Sequence, residues 1–319
     1  MKRIEPFNDI WLDCYNNQKL SILIYKNEDN KALAYNNNYK YEIMPYIFGG
    51  SKEFNCIACG QYIITFEEFS QMDKMNPKNE EEFLKLIKNQ VTKENGFVLM
   101  RTDLYDWLED SICWHRYHWD HYSLIVDYDE ENQQFLVFDE KKGNYVKFYV
   151  PESKIYKCVF HTDKFEILRL ITLDGEEIKI QTTEDIKKNA SDIVESIDNC
   201  LEKRFWDMEE FIFDGEHYKD LNGIFLQKIE GRHKANAGLI RWMETNGMAS
   251  GLDYRTLSEE FEKLSVEWAK IRMALFVIYM KKKNRQEKIN ELNEKLYECL
   301  TKERELWNQV IASQYRGKL

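Results

Sequence analysis

Proline is scarce in this 319-residue chain, with four in all. No segment is dominated by glycine, serine or a repeated unit, which argues against long disorder and flexible linkers. Long apolar runs are missing too. The longest, Met273 to Met280, falls far short of the roughly 20 residues a membrane helix needs. The opening MKRIEPFNDIW has no apolar core of a secretory signal, so none is expected. Basic residues are outnumbered, 45 Lys and Arg against 56 Asp and Glu, for a net charge of −11. That balance speaks against nucleic acid and against an anionic membrane surface as partners. Seven cysteines, at 14, 56, 59, 113, 158, 200 and 299, are odd in number and scattered. They read as reduced thiols in a cytoplasmic chain. What the chain does have is 43% hydrophobic residues, enough for one large core or two smaller ones.

Texture changes along the sequence. Up to about residue 172, short strand-like segments mix with helical ones. GQYIITF, GFVLMRTD, YSLIV, FLVF, YVKFYV and KFEILRLITL read as strands, EEEFLKLIKNQV as a helix and KKGNY as a turn. From Thr182 the signals are helical, starting with a threonine cap in TTEDI. A break is expected near DGEHYKDLNG, and one or two long amphipathic helices from about Thr256. The segment 173–181 is the best junction. The expectation is an α+β chain: residues 1–175 with an antiparallel sheet, and an all-helical region over 176–319.

The densest chemistry lies in residues 114–140, WHRYHWDHYSLIVDYDEENQQFLVFDE. His121 opens one apolar run and Asp139 closes the next. In an antiparallel hairpin those two positions become neighbours. A histidine oriented by a carboxylate is the base half of a nucleophilic triad. Asp139 is otherwise a turn acid. Its rivals Asp127 and Asp129 fall at the wrong end of the first strand. The nucleophile would be Cys14, which directly precedes a helical stretch, because a helix N-terminus favours a thiolate. The plain alternative is a buried small hydrophobe.

Other candidates are weaker. His115, His118 and His121 would share a face only on a helix, and a strand is expected there, so zinc is poorly supported. Cys56 and Cys59 form a lone CxxC, read as structural. His161, His217 and His233 carry no motif. Trp206, Phe211, Phe213, Trp242, Trp268 and Trp307 read as helix packing, with an apolar substrate channel as the alternative.

Cys14 ahead of YNNQKLSILIY, then RTDLYDW, HYSLIVDYD and VFDEKKGNY together resemble a known family over about residues 8–160. It is the papain-like family typified by the N-terminal domain of the butirosin biosynthesis protein H. The resemblance implies a papain-like core, related to bacteriocin-processing (C39-type) peptidases. It also implies Cys14 as nucleophile, His121 as base and Asp139 as orienting acid. Papain-like enzymes place an oxyanion-stabilising Gln six residues before the cysteine. Here that position is Asn8, whose amide is a donor on a shorter arm, with Gln18 as a less favoured substitute.

The family moves acyl groups in antibiotic biosynthesis. More narrowly, texture and length resemble the amide-forming enzymes of polythioamide assembly. The implied function is transfer of an acyl chain from a carrier-protein phosphopantetheine thioester, through a Cys14 acyl-enzyme, to an amine or diamine. No cofactor or metal is expected, and a homodimer is possible. The acidic surface suits a cationic amine. An acidic carrier would need a basic patch, for which Lys281–Lys283 with Arg285 is the candidate. The alternatives are a cysteine peptidase or amidase, and a catalytically dead binding or resistance protein.

Overall fold

The computed structural model describes residues 4–10, 12–48, 52–59, 70–111, 113–159, 166–173, 181–202, 218–280 and 285–315. Several sequence features lie outside them: the expected strand GQYIITF, most of the 173–181 junction, His161, His217, Trp206, Phe211, Phe213 and Lys281–Lys283. The chain is mixed α/β, with a six-stranded antiparallel sheet and a helical C-terminal region. It forms two compact units. One comprises Met1–Leu33 and Ile63–Lys179, the other Ala34–Tyr62 and Ile180–Leu319. The expected division had a single boundary, at 175/176. The structure has the chain cross three times, because residues 34–62 fold with the later helices.

The first unit is built on the sheet, in the order β3 (Ser70–Met75), β8 (Leu168–Leu173), β4 (Gly96–Asp103), β5 (Asp120–Asp129), β6 (Gln134–Lys141), β7 (Asn144–Pro151). GFVLMRTD is buried from Gly96 through Thr102, as befits a strand with neighbours on both sides and cover on both faces. Helix α2 (Glu80–Val91) is capped by Asn79, which accepts from the Glu82 amide, and three glutamates fill its first turn. It buries Phe83, Ile87 and Val91, one row of its surface. Its exit into β4 requires Gly96, where an added Cβ would lie 2.0 Å from the Gln90 carbonyl. The KKGNY turn joins β6 to β7 through Lys142 and Gly143, both at positive φ, as a two-residue hairpin demands.

Helix α1 (Cys14–Lys26) covers one face of the sheet. Tyr15 packs on Tyr122 at 5.0 Å and Tyr25 on Phe97 at 5.7 Å between ring centroids. The opposite face carries Val98, Ile125 and Val137, clustered with Phe83 and Ile87 of α2. Its short remaining helix, α3 (Glu152–Ile155), follows β7.

The second unit holds α4 (Thr183–Leu201), α5 (Tyr218–Thr245), α6 (Tyr254–Met280) and α7 (Arg285–Ala312). The hairpin β1 (Tyr41–Phe48) and β2 (Lys52–Cys59) belongs to it, and β2 contains Cys56 and Cys59. Thr182 and Asp185 form a complete capping box on α4. The expected break near DGEHYKDLNG is overturned in its second half, since α5 is already helical from Tyr218. That helix ends where Gly247, at φ +59°, lets its own amide and that of Met248 reach back to Glu244 and Met243. Trp268 and Trp307 are fully buried and Trp242 packs on the same core. No helix among the described residues is long and apolar enough to cross a membrane.

This core contains an acidic side chain. Glu303 is fully buried and accepts from the hydroxyls of Tyr39 (2.5 Å) and Tyr41 (2.6 Å) and from the Trp307 indole (3.2 Å). His233 Nε2 lies 3.7 Å away, and burial holds that imidazole below its ordinary pKa.

Candidate active site

The segment before α1 is strapped to the helix by polar side chains. Asn17 accepts from the Leu12 amide (2.8 Å) and donates to the Phe7 carbonyl (3.1 Å). Ser21 accepts from the Phe7 amide (2.9 Å). These bonds explain why NNQKLS, polar in sequence, is buried in the structure. Asp13 is the N-cap, and its carboxylate accepts from the Asn16 amide (2.7 Å). Cys14 therefore occupies the first helical position, where the amide has no carbonyl of its own helix to bond.

Strand register brings the other two residues together. Leu124 pairs with Phe138, so the next step sets Ser123 across from Asp139, with His121 two residues along the same face. His121 Nε2 is 2.6 Å from Asp139 Oδ1. The Asp139 carboxylate has no exposure and is satisfied on all sides. Oδ1 also accepts from the Glu140 amide (2.6 Å), and Oδ2 accepts from the Trp107 indole (2.5 Å) and from the Ser123 hydroxyl.

With Nε2 turned to Asp139, His121 has Nδ1 left for Cys14, whose thiol is in hydrogen-bonding reach of the imidazole. Burial works against the imidazolium. The charges of Asp139 and Cys14 and the hydrogen bonds to both outweigh it, and hold His121 well above its ordinary pKa. Cys14, His121 and Asp139 thus stand in one hydrogen-bonded line. A thiol beside an imidazole oriented by a carboxylate is an arrangement that generates a thiolate nucleophile.

Asn8 is placed differently from an oxyanion donor. Its Nδ2 donates to the Tyr145 carbonyl and its Oδ1 accepts from the Tyr145 amide, both at 2.7 Å, and it is exposed. It clamps the N-terminal strap to β7. Gln18 is buried and donates to the Phe138 carbonyl (2.9 Å), tying α1 to the strand that carries Asp139.

The histidine triplet is dispersed. His118 Nδ1 pairs with Asp103 at 2.6 Å and stacks on Tyr105, while His115 is 3.7 Å from Asp106. Among the described residues no group of three or more His, Cys, Asp or Glu is placed to hold a metal ion. Cys14, Cys158 and Cys299 are free thiols. Burial pushes Cys158 up to about 11 and Cys299 up to about 12.

Trp107, Ser123 and Tyr145 were not singled out from sequence. Ser123 carries a readable signal: it is a lone hydroxyl two residues from His121, on the same strand face. Trp107 closes the RTDLYDW block, whose place in the site depends on a loop that periodicity does not predict. No protein-family model matches the chain, and no curated protein matches it.

Proposed function

We propose that the chain is a cysteine-dependent acyltransferase with a papain-like catalytic unit that forms amide bonds. The observation that carries the reading is the line Cys14–His121–Asp139, with a fully enclosed acid and an imidazole well above its ordinary pKa. A nucleophile at the start of a helix, facing a base and an acid on adjacent antiparallel strands, supports the papain-like assignment. The motif resemblance supports acyl transfer in antibiotic biosynthesis as the setting.

In this reading the acyl chain arrives as a phosphopantetheine thioester on a carrier protein. The Cys14 thiolate attacks the carbonyl carbon and a tetrahedral intermediate forms. Its collapse expels the carrier thiolate, which takes the proton held by His121. An amine then attacks the Cys14 thioester, and His121 accepts its proton as the amide forms and the Cys14 thiolate is released. The net charge of −11 suits a cationic amine or diamine as acceptor.

The test is the product. Purified enzyme is incubated with acyl-loaded carrier protein and a diamine, and amide and free acid are quantified by mass spectrometry. Amide in excess over acid supports the synthase. Free acid alone, unchanged by added diamine, makes the chain a thioesterase or peptidase instead.

A further inference from the structure

Asn8 holds Tyr145, and Tyr145 carries an unused donor. Both backbone groups of Tyr145 are bonded to the Asn8 side chain. The Tyr145 side chain is 4% exposed, and its hydroxyl is buried with no hydrogen-bond partner. A buried phenol without a partner loses on the order of 1–3 kcal/mol of hydrogen bonding, so its persistence calls for a reason.

Register says where it points. Leu124 pairs with Phe138 on the face that α1 covers, Glu140 lies two residues on along that face, and Glu140 pairs with Tyr145. Tyr145 therefore rises toward α1, whose first residue is Cys14. Burial raises the phenol well above its ordinary pKa of 10.0, and the charge of Cys14 is the strongest electrostatic contributor after it. The hydroxyl thus lies on the sheet face that carries α1, within electrostatic range of the nucleophile, and keeps its proton at neutral pH.

We propose that the Tyr145 hydroxyl, with the Cys14 amide, is the oxyanion hole of this site, and that Asn8 positions Tyr145 rather than touching substrate. The proposal rests on the acyl-transfer reading. When the Cys14 thiolate attacks, a carbon–sulfur bond forms and the carbonyl π pair moves onto oxygen. The phenol donates a hydrogen bond to that oxygen without giving up its proton. The pair returns as the carbon–sulfur bond to the leaving thiol breaks. A neutral donor fits, because it carries no charge that would pair with the Cys14 thiolate in the resting enzyme.

Two reactions of one thiol separate this role from others. Alkylation by iodoacetamide builds no oxyanion, whereas acylation by the N-acetylcysteamine thioester of acetate does. Both are followed by intact-protein mass spectrometry on wild type and Tyr145→Phe. The expected result is a loss of about 10²–10³-fold in acylation rate with alkylation within about two-fold of wild type. Asn8→Ala is expected to give a smaller loss with the same selectivity. Equal acylation of wild type and Tyr145→Phe overturns the proposal and leaves acyl transfer standing. Parallel loss of both reactions overturns it also, since that marks a structural role. A wild type that alkylates but never acylates at Cys14 removes both the oxyanion hole and the acyl-transfer reading.

Discussion

Nε2 of His121 lies 2.6 Å from Oδ1 of an Asp139 that is sealed from solvent by Trp107, Ser123 and the Glu140 amide. The acid fixes the ring so that Nδ1 meets the thiol, and its charge sustains the imidazolium. Asp139→Asn removes the charge and keeps the shape. Acylation of Cys14 should fall on the order of 10²-fold or more, the scale of a lost general base. Stopped-flow acylation of the variant against wild type measures it, with circular dichroism confirming an unchanged fold.

The raised His121 pKa makes stability pH-dependent. A histidine whose native pKa exceeds its unfolded value stabilises the fold fully below the unfolded value, here 6.5, and loses that contribution as pH rises through the native value. Wild type should therefore exceed His121→Gln in unfolding free energy most below pH 6.5, with the gap shrinking in alkali. Because the charge of Cys14 adds to the shift, Cys14→Ser should move that shrinkage to lower pH. Urea titrations at a series of pH values read both effects.

Thiol chemistry should be site-selective. Cys158 and Cys299 are raised to about 11 and about 12 by burial and stay protonated at neutral pH. Limiting iodoacetamide at pH 7 should label Cys14 well ahead of both, by peptide mapping. Equal labelling of Cys14 and Cys158 would count against an activated thiol.

Glu303 makes a separate prediction for the helical unit. Glu303→Ala removes the acceptor of the Tyr39 and Tyr41 hydroxyls from a dry core and should cost several kcal/mol, at about 1–3 kcal/mol per lost hydrogen bond. Glu303→Gln keeps an acceptor and should cost less. Chemical denaturation of both variants decides the order.

The sheet was legible because its rules are local. Short apolar runs marked β4, β5, β6 and β7, and KKGNY marked the turn between the last two. The His121–Asp139 pairing followed from hairpin register, since strand ends determine neighbours. Less was legible where distant side chains decide. Asn8 has the sequence offset of a papain-like oxyanion donor, yet the β7 backbone claims both ends of its amide. Residues 34–62 read as part of the first unit, yet Tyr39 and Tyr41 bury their hydroxyls against Glu303, some 260 residues later. No periodicity encodes a contact of that separation. In the histidine triplet, loop and strand geometry gives each ring its own aspartate, a pairing that the spacing alone does not encode.

The central claim is that Cys14 carries the acyl group. Intact-protein and peptide mass spectrometry after mixing with an acyl-loaded carrier protein tests it, on wild type and Cys14→Ala. The account predicts a mass gain on the wild-type Cys14 peptide that a diamine discharges as amide, and none on the variant. An adduct that survives Cys14→Ala, or no adduct on wild type, contradicts it.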